Sequence, residues 1–192
     1  MTSLTLPVSR MRLLLDHIDT PIGTFAIVAD EGGRLRSAGF TGGHARMERQ
    51  LAAFASEPAL SLASGSNPGG LTAALERYFS GDLAAIEGLP VASRGTAFQQ
   101  AVWRGLREIP CGETWSYADL ARHIGHPTAV RAVGLANAAN PVGVVVPCHR
   151  VIGSNGSLTG YAGGIERKGW LLAHEAEHRV RYGNRSIFSA ET

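Results

Sequence analysis

The sequence predicts an α+β fold in two subdomains. Residues 1–91 form a small amino-terminal antiparallel sheet subdomain with helices. Residues 92–178 form a mainly helical subdomain with a helix-turn-helix and an unusual cysteine, and residues 179–192 are a tail with no assigned role. Three observations carry this reading. Short apolar runs alternate with turn residues between positions 13 and 40, capping boxes open helices beyond position 95, and the apolar run 142–146 ends in Pro147-Cys148-His149-Arg150.

In chain order, Thr20-Pro21-Ile22-Gly23 precedes Phe25-Ala26-Ile27-Val28, and Glu31-Gly32-Gly33 follows it, which predicts the strands of a hairpin or meander. Residues 56–70, rich in Ser, Pro, Gly and Asn, read as a loop. Residues 71–79 read as a helix ended by Ser80-Gly81, and residues 80–94 as a linker. Thr96 and Gln99 make a capping box for a helix whose apolar stripe is Phe98, Val102, Leu106 and Ile109. Ser116 and Asp119 repeat the device for a second helix, which stops at Gly125-His126-Pro127. Thr128 is expected to cap a third, from 129 to about 138. The last two make a candidate helix-turn-helix with a three- or four-residue turn, or a plain helical hairpin. The third helix carries Ala129, Ala132, Gly134, Ala136, Ala138 and Ala139, small enough for close backbone approach to a partner, with Arg131 projecting from its first turn. That surface suits sequence-tolerant contact with phosphates and shape. Asn140-Pro141 ends it.

Composition narrows the function classes. The chain of 192 residues has no apolar run near the ~20 residues of a spanning helix. Arg10 and Arg12 ahead of Leu13-Leu14-Leu15 make a poor signal peptide, so a cytoplasmic location is expected. Two cysteines, Cys111 and Cys148, are too few for a disulfide scaffold or an all-cysteine zinc site. The net charge is +2, but residues 1–91 carry 7 arginines against 9 Asp/Glu, and residues 92–192 carry 11 Arg/Lys against 7 Asp/Glu. Of the 18 basic residues 17 are arginine, the side chain that grips phosphate bidentately; the alternative is a solvated basic surface.

Cys148 is the candidate nucleophile. A thiol with a pKa near ~8.5 is only a few per cent thiolate at neutral pH unless a base or cation stands close, and His149 and Arg150 are placed to supply both.

The segment from Gly95 to Glu175 closely resembles the O6-alkylguanine-DNA alkyltransferases, or methylated-DNA–protein-cysteine methyltransferases, of the bacterial single-protein type. The matching pieces include Gly95-Thr96-Ala97-Phe98-Gln99-Gln100-Ala101-Val102-Trp103, Ile109-Pro110-Cys111-Gly112, Arg131-Ala132-Val133-Gly134, Asn140-Pro141, Pro147-Cys148-His149-Arg150-Val151-Ile152-Gly153, Thr159-Gly160-Tyr161-Ala162-Gly163-Gly164 and Leu171-Leu172-Ala173-His174-Glu175. A looser match at Thr20-Pro21-Ile22-Gly23 extends the resemblance into the first half.

The resemblance implies a DNA repair activity, a suicide transfer of a methyl or other alkyl group from O6 of guanine, and O4 of thymine, to Cys148. It further implies His149, acting through water and oriented by Glu175, as the base, with Tyr117 and Tyr161 as donors to the leaving base. Val151, Tyr161, Ala162, Gly163 and Asn140 would form the base pocket. Arg131, Ala132, Gly134, Ala136, Asn140 and Tyr117 would contact double-stranded DNA from the minor groove, with Arg131 filling the space left by a flipped nucleotide. No cofactor and no obligate protein partner are implied, and a monomer is expected.

Two departures stand out. Some relatives carry serine where this chain has Ala162, which bears on substrate preference. Others hold zinc in the amino-terminal subdomain, but residues 1–91 contain no cysteine and only His17 and His44, so no metal is expected. Two rival classes are a DNA-binding regulator without chemistry and a cysteine hydrolase using Cys148 and His149; an alkyl thioether offers no hydrolytic exit.

Overall fold

The computed structural model describes residues 10–42 and 46–188, so His44 and the outermost ends of the chain lie outside the described residues. The first half is built on a four-stranded sheet of order β3-β2-β1-β4. Strands β1 (Met11–Thr20), β2 (Gly23–Asp30) and β3 (Leu35–Phe40) form the expected antiparallel meander. At the first turn Thr20 Oγ1 donates to the Gly23 carbonyl at 2.6 Å, and Gly23 takes φ 116, a conformation that glycine adopts at little cost. Strand β2 is buried on both faces, which explains its unbroken apolar run. Phe25, Ile27 and Ala29 join the main core, while Ala26 and Val28 pack with Leu13 and Met47 in a second cluster.

That second cluster belongs to helix α1 (Arg46–Ser56), which crosses over to strand β4 (Leu60–Ser64). Strand β4 pairs parallel with β1, so the sheet is mixed and not purely antiparallel. The strand lies in a segment whose turn-rich composition predicts a loop; its only signal is the alternation of Leu60 and Leu62, both packed under α1. The signal for α1 is clearer: Met47, Leu51 and Phe54 share one helical face.

Helix α2 (Leu71–Phe79) has the predicted bounds and closes at Ser80. Residues 80–94 are more than a linker. Leu83–Ile86 form a 3-10 turn that buries Leu83 and Ile86, and Val91 bridges to Leu35.

In the second half, α3 (Ala97–Arg107), α4 (Tyr117–His123) and α5 (Val130–Ala138) pack on one another, and both capping boxes form as predicted. Thr128 is not the cap of α5. Ala129 holds that position without a side-chain bond, and residues 124–129 make a longer connection than expected. A short parallel pair, β5 (Trp115–Ser116) with β6 (Val151–Ile152), precedes the long helix α6 (Ile165–Phe188).

Between α5 and β6 the apolar run is neither helix nor strand. Val145 N–H donates to the Gly143 carbonyl at 2.9 Å around Val144, whose φ is 69, and Cys148 N–H donates to the Val146 carbonyl at 2.8 Å around Pro147. These are consecutive γ-type turns. A β-branched residue in the left-handed region costs on the order of 1–3 kcal/mol, and the complete burial of Val142 and Val144 holds it there. The segment also docks on the free edge of β3: Gly143 N–H donates to the Ala38 carbonyl at 2.7 Å, and Ala38 N–H to the Pro141 carbonyl at 3.0 Å. The sheet of the first half thus supports the turn that carries Cys148.

The caps give a direct test. Ser116→Ala is expected to lower stability by about 1 kcal/mol in urea denaturation, whereas Thr128→Ala is expected to stay within about 0.5 kcal/mol of the parent.

Candidate active site

Cys148 opens a 3-10 turn, Cys148–Arg150, and is 7% exposed, at the wall of a cavity formed by both halves of the chain. Strand β3 contributes Ala38, Gly39 and Phe40, and α1 contributes Arg46, Met47 and Gln50. Asn140 and Gly143 line it beside the cysteine, and the loop Tyr161-Ala162-Gly163 faces it. At Gly163 a Cβ would fall 2.6 Å from the Tyr161 ring, so this loop closes tightly only with glycine there.

Behind the cysteine lies Glu175, fully buried on α6. Its carboxylate accepts from Tyr78 Oη at 2.8 Å, His149 Nε2 at 2.8 Å, Arg150 Nε and Nη2 at 2.9 Å each, and Gly112 N–H at 3.1 Å. Burial alone would raise the Glu175 pKa, but His149 and Arg150 more than offset it and hold the carboxyl well below the usual range. The group is an anion at every physiological pH. It can only accept, so His149 must carry its proton on Nε2. Burial lowers the His149 pKa against the pull of Glu175, leaving the ring neutral, and its Nδ1 is buried with no partner among the described residues. A neutral imidazole oriented through Nε2 with a free Nδ1 lone pair is a base ready for use.

The expected cation beside Cys148 is not Arg150. That guanidinium is committed to Glu175 and, through Nη1, to the Ile109 carbonyl at 2.7 Å. The positive charges that act on the thiol are Arg46, which shares the cavity wall with it and bonds the Ala138 carbonyl, and the fully buried Lys168, whose Nζ donates to the carbonyls of Val151 at 2.6 Å and Thr159 at 2.8 Å. Burial raises the Cys148 pKa, and Asn140, Arg46 and Lys168 pull it down by less. The resting thiol is therefore protonated and needs its base. Cys111 is also a free, buried thiol, pushed up to about 12 by burial and by Glu175, and is inert by the same logic.

Other candidate residues divide by position. Asn140 is buried and bridges the turn: its Nδ2 donates to the carbonyls of Val146 at 2.7 Å and Val142 at 3.3 Å, and its Oδ1 accepts from Val142 N–H at 3.0 Å. Tyr161 is half-buried in the cavity, and burial together with Cys148 pushes its phenol well above its ordinary pKa, so it remains an O–H donor. Tyr117 lies outside the cavity, half-buried at the start of α4, where its hydroxyl accepts from Thr159 Oγ1 at 3.3 Å. Val151 is fully buried in the core and lines no part of the cavity.

On α5 the helical period sorts the remainder. Arg131 and Ala132 are exposed, Gly134 is half-buried beside the Tyr117 ring, and Arg131 has no ion-pair partner among the described residues. Ala136 is not on this surface. It lies about 140° round the helix from Arg131, is 3% exposed, and its carbonyl accepts from Trp103 Nε1. Leu135, which shares the Arg131 face at i+4, is 75% exposed and was not marked by the sequence; the i, i+4 spacing from Arg131 was its signal. Among the described residues no group of three His, Cys, Asp or Glu side chains could hold a metal ion, and no helix is long and apolar enough to cross a membrane.

Family models match both halves of the chain. The ribonuclease-like domain of 6-O-methylguanine DNA methyltransferase covers residues 13–93 and its DNA-binding domain residues 97–177. A methylated-DNA–protein-cysteine methyltransferase from Salmonella typhimurium is 51% identical over 165 residues, covering 86% of this chain and 96% of its own. One from Methanosarcina acetivorans is 43% identical over 157 residues, covering 82% and 94%. The crystal structure of O6-methylguanine methyltransferase from Mycobacterium tuberculosis superposes with a TM-score of 0.73 at 40% identity, covering 86% of this chain and 94% of that one; a structure in complex with DNA gives 0.71.

The buried carboxylate makes stability pH-dependent. In the folded state His149 and Glu175 stay unprotonated, while the unfolded chain takes up protons near the ordinary values of 6.5 and 4.5. Both shifts are downward, so stability is greatest above pH 6.5 and falls as pH drops, more steeply below 4.5. Glu175→Gln is expected to lose about 3–5 kcal/mol at pH 7 in urea denaturation, because Arg150 is left buried and unpaired, and to show a shallower fall below pH 4.5, where Asp16, Asp30 and Asp119, also held below their ordinary pKa, still contribute.

Proposed function

The chain belongs to the 6-O-methylguanine DNA methyltransferase family, and from that membership we propose that it repairs DNA by direct reversal, moving a methyl or other alkyl group from O6 of guanine to Cys148. O4 of thymine offers the same alkyl-oxygen chemistry. The observation that carries the reading is the buried Cys148 beside a neutral His149 locked through Nε2 to Glu175, with Nδ1 left over.

The chemistry follows from those atoms. The Cys148 proton passes through a water to His149 Nδ1, and the sulfur forms a bond to the alkyl carbon as the carbon–O6 bond breaks. The electron pair leaves with guanine, so donors are needed where its charge develops. Tyr161 and a backbone N–H of the Ala162-Gly163 loop serve O6. Tyr117 serves the ring nitrogen and the neighbouring phosphate. The product is a thioether with no leaving group, so one protein molecule repairs one lesion.

A base inside a duplex cannot reach a thiol that is 7% exposed, so the damaged nucleotide must rotate out, at a cost of a few kcal/mol. The outer face of α5 enters the minor groove, where the small Ala132 and Gly134 permit close approach and Arg131 fills the vacated stack. Exposed Leu135 joins it as an apolar contact. The protein acts as a monomer, in the cytoplasm, with both thiols reduced.

The test is the intact mass and peptide map of the protein after incubation with excess duplex containing O6-methylguanine. One methyl on Cys148, with stoichiometric loss of the lesion, is expected; unchanged mass on bound DNA would leave only a binding protein. Cys148→Ala is expected to abolish transfer and retain DNA binding. Arg131→Ala is expected to slow transfer from duplex by about ten- to a hundredfold while leaving transfer from the free base O6-benzylguanine within about twofold.

A further inference from the structure

The loop that faces Cys148 follows β6 and leads directly into α6, and one side chain bonds both it and the edge of the amino-terminal sheet. Arg167, in the first turn of α6, donates from Nε to the Ile22 carbonyl at 2.9 Å, from Nη1 to the Gly163 carbonyl at 3.2 Å and from Nη2 to the Gly42 carbonyl at 3.5 Å. These acceptors belong to three separate segments: the β1–β2 turn, the loop beside Cys148, and the stretch that follows β3. Among the described residues none of its bonds goes to a carboxylate. The guanidinium also lies 4.6 Å over the ring of Phe40, which lines the cavity and packs edge-on to Phe25 at 4.9 Å. The turn is shaped to receive it, since a Cβ at Gly23 would stand 2.9 Å from Nη2.

The geometry points to Arg167 as a positioning residue of the transfer site: it clamps the loop carrying Tyr161 and Gly163 to the amino-terminal sheet and so fixes that loop opposite Cys148. The inference rests on the alkyl-transfer reading above. Arg167 acts through Gly163 and not by touching the reacting atoms. Three carbonyls in divergent directions require a planar fork with several N–H groups, which a lysine ammonium on a flexible stem does not supply. Misplacement of a donor loop by about 1 Å is enough to cost on the order of a hundredfold in rate.

The experiment measures single-turnover transfer against duplex concentration, and transfer from O6-benzylguanine, for the wild type, Arg167→Ala and Arg167→Lys, well below each protein's measured Tm. Arg167→Ala is expected to lower the maximal transfer rate by about ten- to a hundredfold, on duplex and free base alike, with the half-saturating DNA concentration within about twofold of the parent. Arg167→Lys is expected to recover little of the rate. Arg167→Gln, which retains the stem and an amide donor, replaces the alanine variant if that one does not fold, with the same expectation. An unchanged maximal rate, full recovery with lysine, or a loss confined to DNA affinity would overturn the clamp while leaving the transfer reading intact. Absence of methyl transfer by the wild type would remove both.

Discussion

Everything near Cys148 is arranged around one buried negative charge. The Glu175 carboxylate comes from the last helix and receives donors from α2, from the turn after α3 and from the Cys148–Arg150 turn. A carboxylate taken out of water is tolerable only when its lone pairs are filled by well-placed donors, and here they are. The same bonds perform the chemical task. By accepting only, Glu175 dictates which nitrogen of His149 bears hydrogen, and so which is free to take a proton. Stability and reactivity therefore share the same atoms, and neither can be adjusted alone.

The second constraint is local strain. The turn before Cys148 places Val144 in a backbone region that valine avoids, and Asn140 holds the turn by bonding two of its carbonyls and the Val142 N–H. A regular strand here would have alternated its side chains and carried the run past the cavity. Consecutive tight turns instead bury all four valines and present the sulfur at the cavity wall.

Much of this was legible in the sequence, and the limits have physical causes. Capping boxes are local, and Thr96/Gln99 and Ser116/Asp119 appear as read. Thr128 shows the limit of such reading, since nothing local distinguishes a cap from a threonine one residue too early. Strand β4 was hidden because its pairing with β1 is long-range and its neighbours are turn formers. At the site, the Cys148, His149 and Glu175 grouping came from resemblance. Spacing alone would not have joined residues 149 and 175, nor have brought in Tyr78, 97 positions from the carboxylate it bonds. The assignment of Arg150 to the thiol failed for a related reason: adjacency in sequence says nothing about which way a guanidinium turns. Ala136 was misplaced by composition, because small residues lie on both faces of α5 and only the helical period separates them.

The docking of residues 141–143 on the free edge of β3 bears on how such chains can be recombined. Family models meet near residue 95, which invites that position as a crossover point for chimeras. Yet the hydrogen bonds between Ala38 and the turn, the Tyr78 hydroxyl and the Phe40 ring all cross that boundary. A graft of the helical half onto a foreign sheet would inherit the cysteine and its histidine but not the surface that shapes them. Exchange between relatives is therefore governed by whether the incoming strand edge and α2 reproduce those contacts, whatever the identity of the catalytic segment.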